Sequence, residues 1–243
     1  YVETENGVDT YIPEHIFNQE MFDKVITELQ SLFSFSFKMK LIKQENWNLK
    51  WEESFKPVEI NKDCVIRAHF HEKTDYDFEI IITPKMSFGT GHHETTFLMM
   101  NAMFSLDFNN KSVLDMGCGT GILSILSKML GSSKTVGIDI DEWSYQNSLE
   151  NANLNNISDI CFLHGDKSKI NERYDIVLAN INRNIIISDI GEYVSSMNKG
   201  SDLLLSGFLN DDIRIIRERA DRLDLKFVSH KNKNKWNFLH FTK

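Results

Sequence analysis

Three acidic residues and a run of glycines carry the first chemical signal in the sequence. Asp115 follows the apolar pair Val113–Leu114, and Gly117, Gly119 and Gly121 come next at alternate positions, ahead of a second apolar run at 122–126. Glycine there permits a tight turn and lets a ligand approach the main chain closely. Asp139 stands 22 positions after Gly117, where an acid can accept hydrogen bonds from ribose hydroxyls. Asp166 closes a third apolar run. It fits an acceptor for an adenine amine or an ordinary turn residue equally well.

The spacing is G-x-G-x-G rather than the dinucleotide pattern G-x-G-x-x-G, and an Asp lies two residues before the first Gly. That combination points to S-adenosyl-L-methionine. Another nucleotide-binding turn, or a purely structural one, stays open on this stretch alone. A fourth apolar run ends at Asn180. Ligands in open α/β sheets sit at the carboxyl ends of strands, so Asn180 is a candidate for positioning an acceptor.

A second glycine-bearing stretch, Phe88-Gly89-Thr90-Gly91-His92-His93-Glu94-Thr95-Thr96, runs into an apolar segment. Phe88, Thr90 and Thr96 are candidate ligand contacts. Thr95 and Thr96 would lie in a helix's first turn, where free N–H groups favour a carboxylate; a cap alone is the plainer reading. His92, His93 and Glu94 suit an acid–base cluster or a surface loop end, and the H-E-x-x-H metal spacing is absent. His69 and His71 share a strand face with no third ligand nearby, so no metal site is expected.

The elements that must position these residues follow a βα alternation from 112 to 223, then two strands around the basic run 231–235, read as a solvated hairpin tip. The fold class expected is α/β, a Rossmann-like class I methyltransferase sheet closed by an antiparallel hairpin. Ahead of it, residues 1–12 read as a hairpin turning at Asn6-Gly7, 18–33 as an amphipathic helix, and Phe33, Phe35, Phe37, Met39 and Leu41 as an alternating strand. That order is the second half of a ferredoxin-like α+β unit, and a further strand and helix are expected before Tyr1. Trp47, Trp51 and Phe55 fall on one face of a linker helix stopped by Pro57. The expected organisation is a partial ferredoxin-like domain at 1–44, a linker at 45–57 and a catalytic domain at 58–243.

The net charge of −8 does not favour binding through phosphates. Three widely spaced cysteines suit reduced thiols in a cytoplasmic protein, and no apolar run is long enough for a membrane span.

With these residues in view, the sequence resembles the bacterial methyltransferases that modify large-subunit ribosomal protein eleven. The resemblance covers nearly the whole chain. It rests on Asn46–Trp51 with Phe55 and Pro57, on Phe88–Thr96, on Asp115–Gly121 and Gly137–Asp141, and on Ala179–Ile181 and Leu205–Gly207. It implies a substrate-holding N-terminal domain, S-adenosyl-L-methionine as cofactor, and methylation of lysine side-chain and N-terminal amines of the ribosomal protein by a monomer. It maps cofactor contacts onto Thr96, Gly117, Asp139 and Asn180. The chain has Asn180-Ile181-Asn182-Arg183 where many amine methyltransferases carry an Asn/Asp-Pro-Pro-aromatic run, so Asn180 keeps its expected role and the aromatic part is missing. His92 and Glu94 are the candidates to help remove the amine proton. An NAD-dependent dehydrogenase, a non-enzymatic chaperone of the ribosomal protein and a methyltransferase for another substrate are the rival readings.

Overall fold

A computed structural model describes residues 2–4, 7–40, 55–83, 85 and 87–243, and the chain divides into two units, 1–47 and 48–243. In the first unit β1 (Val2–Thr4) pairs antiparallel with β2 (Gly7–Asp9), and α1 spans Gln19–Leu32. Thr4 pairs with Gly7, so Gly7 lies in the strand ladder and not in the expected Asn6-Gly7 turn. The Asn18 side chain caps α1 by accepting from the Met21 N–H at 2.9 Å.

The strand expected from Phe33 onward does not form over residues 34–40. Alternation is necessary for a half-buried strand, but a strand also needs a neighbour's N–H and C=O groups. Among the described residues β1 and β2 pair with each other alone. Phe37 instead packs edge-on against Phe22 of α1, with centroids 5.5 Å apart. The linker-helix expectation for Trp47 and Trp51 falls outside the described residues.

The second unit opens with a three-stranded sheet of β3 (Val58–Asn61), β4 (Cys64–Arg67) and β5 (Phe78–Ile81). Helix α2 (Glu94–Met103) follows, then β6 (Ser112–Met116), α3 (Ile122–Met129), β7 (Lys134–Asp139), α4 (Glu142–Leu154) and β8 (Ile160–His164). The chain ends with β9 (Tyr174–Asn180), α5 (Arg183–Ser195), β10 (Met197–Leu209), α6 (Ile213–Asp221), β11 (Lys226–Lys233) and β12 (Trp236–Thr242).

The main sheet has the order β11-β12-β10-β9-β6-β7-β8. Its five central and edge strands from β10 to β8 run parallel, and β12 and β11 close it antiparallel. Both faces are covered, so successive residues alternate between two cores. Ile176 and Leu178 enter the core shared with α2, α3 and α4. Val177 and Ala179 enter the one shared with α5 and α6. Near-continuous apolar sequence in β9 is the signature of a strand buried on both faces. The winding reverses between β6 and β9, which places a crevice at the carboxyl ends of β6, β7 and β9.

Candidate active site

The carboxyl ends of β6, β7 and β9 carry Asp115, Asp139 and Asn180. The glycine loop joins them. Gly117 and Cys118 donate their N–H groups to the Ile138 carbonyl at 2.8 and 3.1 Å, and Gly121 donates to Cys118 at 2.8 Å. Gly119 N–H donates to Asp139 Oδ2 at 2.8 Å, and Thr120 N–H to the Phe88 carbonyl at 2.9 Å. Every main-chain donor from Gly117 to Gly121 therefore has a protein partner. The loop has no free main-chain donors to offer, and its glycines make room for the Ile181 side chain, the Phe88 carbonyl and Phe162.

Gly119 shows why the residue type is required. Its φ is +55°, and a Cβ there would collide with the Phe88 carbonyl oxygen. The loop and the 87–91 stretch are thus mutually dependent. The Thr120 hydroxyl reinforces the contact by donating to the Gly89 carbonyl at 2.7 Å.

Acceptors are what the site leaves over. Asp115 is buried, and its Oδ2 accepts from the Ser124 N–H and hydroxyl at 3.0 and 2.7 Å. Its Oδ1 has no partner. Burial pushes its carboxyl up to about 7, with the Ser124 bonds opposing and nearby Asp139 adding to the rise. Asn180 donates from Nδ2 to Thr96 Oγ1 at 3.3 Å, and its Oδ1 is buried without a partner. Asp139 accepts from Gly119 and, on Oδ1, from the Asp141 N–H at 3.0 Å. Each of its oxygens keeps a second lone pair. Ile140, next to it, is 73% exposed, an apolar surface beside an acid.

This pattern discriminates among ligands. A pyrophosphate needs donors, and the loop has none to spare. A ligand bearing hydroxyls and a positive charge needs acceptors, and Asp115, Asp139 and Asn180 supply them. Asp166 does not share this arrangement. It is exposed, and its Oδ1 caps the turn at 167–169 by accepting from the Ser168 N–H at 2.9 Å. The Ser168 hydroxyl foremost, and then this N–H, hold its carboxyl below the usual range.

The 88–96 residues separate into distinct roles. Thr95 and Thr96 are fully buried in the first turn of α2, and His93 is its N-cap, accepting from the Thr95 N–H at 3.3 Å. His92 turns another way. Its Nε2 lies 3.0 Å from the Lys56 carbonyl, its ring packs on Phe55, and Nδ1 faces the Thr90 hydroxyl at 3.5 Å. Both ring nitrogens are engaged with that segment, so the geometry gives His92 a structural task. Glu94 is held by Asn234, which donates to its Oε1 at 2.8 Å, and this bond foremost lowers its carboxyl from the usual range. His71 likewise bonds the Phe55 carbonyl, and among the described residues no cluster could hold a metal.

Two contributions were not read from the sequence. Asn151 accepts from the Thr83 N–H at 2.9 Å and donates to the Thr120 carbonyl at 2.9 Å, pinning α4 to the glycine loop. Asn155 exchanges bonds with both main-chain groups of Ile81. Asparagines at helical spacing on α4 were the available signal. The basic hairpin tip is exposed over residues 232–235, as a solvated tip should be. From it the Lys233 ammonium also reaches to 3.4 Å from the Phe97 ring centroid, and Trp236, next along the chain, packs on His93.

Comparison with known proteins agrees with this geometry. The family model described as ribosomal protein L11 methyltransferase (PrmA) matches residues 1–243. A ribosomal protein L11 methyltransferase of Bacteroides fragilis is 42% identical over 251 residues, covering 99% of this chain and 88% of that protein. One from Porphyromonas gingivalis is 47% identical over 201 residues, covering 81% and 69%. The crystal structure of the ribosomal protein L11 methylase from Lactobacillus delbrueckii subsp. bulgaricus superposes with a TM-score of 0.73 at 23% identity, over 78% of this chain and 99% of that one.

Proposed function

The chain belongs to the ribosomal protein L11 methyltransferase family, and on that premise we propose that it methylates lysine side-chain and N-terminal amines of ribosomal protein L11. The observation that carries the site-level reading is the acceptor-rich, donor-poor crevice at Asp115, Asp139 and Asn180.

S-adenosyl-L-methionine, when bound, supplies a methyl group on a positively charged sulfur. The residues fit it. Asp139 has lone pairs for ribose hydroxyls, and Asp115 Oδ1 is a partnerless buried acceptor suited to an ammonium. We assign Phe88 and Thr90 to cofactor contact from the 88–96 stretch; Thr96, fully buried, acts through the Asn180 amide it holds. The Asp166 main chain lies in the turn after β8, at the same sheet edge.

The chain's own contribution to the transfer is alignment. Asn180 Oδ1 accepts an N–H of the incoming amine and fixes where its lone pair points. Thr96 holds the Asn180 amide from the other side, so its oxygen cannot rotate away. The amine must lose a proton first, since a lysine's pKa is about 10.4. Glu94, at the same helix start, is the carboxylate placed to assist, and water can carry the proton onward.

We assign residues 1–44 to holding the substrate, 45–57 to linking and 58–243 to catalysis. The division of the chain at residue 47 supports this. We place the reaction in the cytoplasm, on the free ribosomal protein, carried out by a monomer without direct contact with nucleic acid or membrane. The net charge of −8 supports the nucleic-acid part. Peptide mapping of full-length L11 after incubation with enzyme and cofactor tests the proposal. Methyl groups on lysines and the N-terminus are expected; methylation confined to other residue types would overturn it.

A further inference from the structure

Three aromatic rings from two stretches, 88–96 and the start of β12, follow one another at the start of α2, the helix that carries Thr96. The Phe88 and His93 ring centroids are 5.0 Å apart at 62°, and those of His93 and Trp236 are 4.6 Å apart at 67°. Each ring is fixed to the site by its own route. Phe88 is tied to the glycine loop through its carbonyl. His93 caps α2 three residues before Thr96. Trp236 starts β12, and the hairpin that carries it is clamped to α2 by the Lys233–Phe97 and Asn234–Glu94 contacts.

Core packing does not account for this wall. The Phe88 side is 50% exposed, although the residue's main chain is locked in place. A large exposed ring on a fixed backbone, packed on the N-cap of the helix that carries Thr96, is a surface suited to a ligand. Aromatic faces carry negative charge density and attract ammonium groups, most strongly at Trp. The neighbouring charges agree. Glu94 is ionised beside the wall, and the Lys233 ammonium is occupied on Phe97.

We propose that Phe88, His93 and Trp236 receive the acceptor ammonium and its methylated forms, and so set how many methyl groups one amine accumulates. This rests on the amine-methylation reading above. In each transfer the amine nitrogen forms a bond to the methyl carbon, the sulfur–carbon bond breaks with its electron pair remaining on sulfur, and the ammonium formed gives a proton to water before the next round. A primary ammonium has three N–H donors, and each methyl group removes one. Asn180 Oδ1 can hold the amine only while an N–H remains. The aromatic wall needs none, so its share of the binding grows as methyl groups accumulate.

The test uses full-length enzyme and full-length L11, with intact-mass analysis of products at matched total turnover. Trp236→Leu and Phe88→Leu should lower the ratio of tri- to monomethylated amine roughly threefold, the worth of a partly exposed cation–π contact, and Trp236→Phe should restore most of it. A ratio unchanged in both leucine variants overturns the proposal. A binding readout independent of transfer is the Trp236 indole N–H resonance, titrated with tetramethylammonium and with neutral neopentyl alcohol. A saturable shift with the cation alone, lost in Phe88→Leu, supports the wall; an equal response to both probes overturns it. If the parent enzyme transfers no methyl group at all, the functional reading fails, and the titration still decides the wall.

Discussion

The Asp139 carboxylate accepts a hydrogen bond of 2.8 Å from the main-chain N–H of Gly119. One side chain thereby ties the end of β7 to the loop after β6, and it presents its remaining lone pairs to the crevice between them. Asp139→Ala should weaken cofactor binding by about 1–3 kcal/mol, the range for a lost charge-assisted hydrogen bond. Calorimetric titration with S-adenosyl-L-methionine measures this, and an unchanged affinity removes Asp139 from the site.

Asn180 should behave differently. Its partnerless Oδ1 is assigned to the amine, so Asn180→Ala should reduce turnover roughly 10²-fold or more while changing cofactor affinity much less. Parallel kinetics and calorimetry separate the two. An equal loss in both would place Asn180 with the cofactor instead.

Asp115 links the site to pH. Its folded-state value of about 7 lies above the ordinary carboxylate value, so the folded protein holds this proton more tightly than the unfolded chain does. The protonated form's stabilisation is fully present below about pH 4 and is lost as pH rises through about 7. Asp115→Asn, which has no charge to bury, should flatten this part of the stability profile. Denaturant unfolding at intervals from pH 4 to 8 checks it; a variant as pH-dependent as the parent would contradict the assignment.

Gly119→Ala should be among the most damaging small substitutions, because the added methyl meets the Phe88 carbonyl and the φ is positive. A loss of about 1–3 kcal/mol is expected, with weakened cofactor binding as the loop shifts. Thermal unfolding with and without cofactor reads both. Wild-type stability and affinity would mean that the loop and the 88–89 segment are not packed as described.

The parts legible in sequence were those set by local rules. Asp115, the glycines, Asp139 and Asn180 lie at strand ends, and short continuous apolar runs bounded by polar or glycine residues locate such ends well. The misread parts depend on long-range partners. The alternation from Phe33 to Leu41 specified one face of a strand but not a neighbour to pair with, and residues 34–40 pair with none. The placement of Trp236 on His93 joins residues far apart in sequence, which no local pattern encodes. His92, which the motif offered either for acid–base chemistry or as a loop end, has its two nitrogens facing Lys56 and Thr90.

Transfer of label from methyl-tritiated S-adenosyl-L-methionine to purified full-length ribosomal protein L11 tests the central claim most directly. The account predicts acid-stable label on L11 with the parent enzyme and a severe loss with Asn180→Ala. An enzyme that binds the cofactor tightly but leaves L11 unlabelled would contradict it.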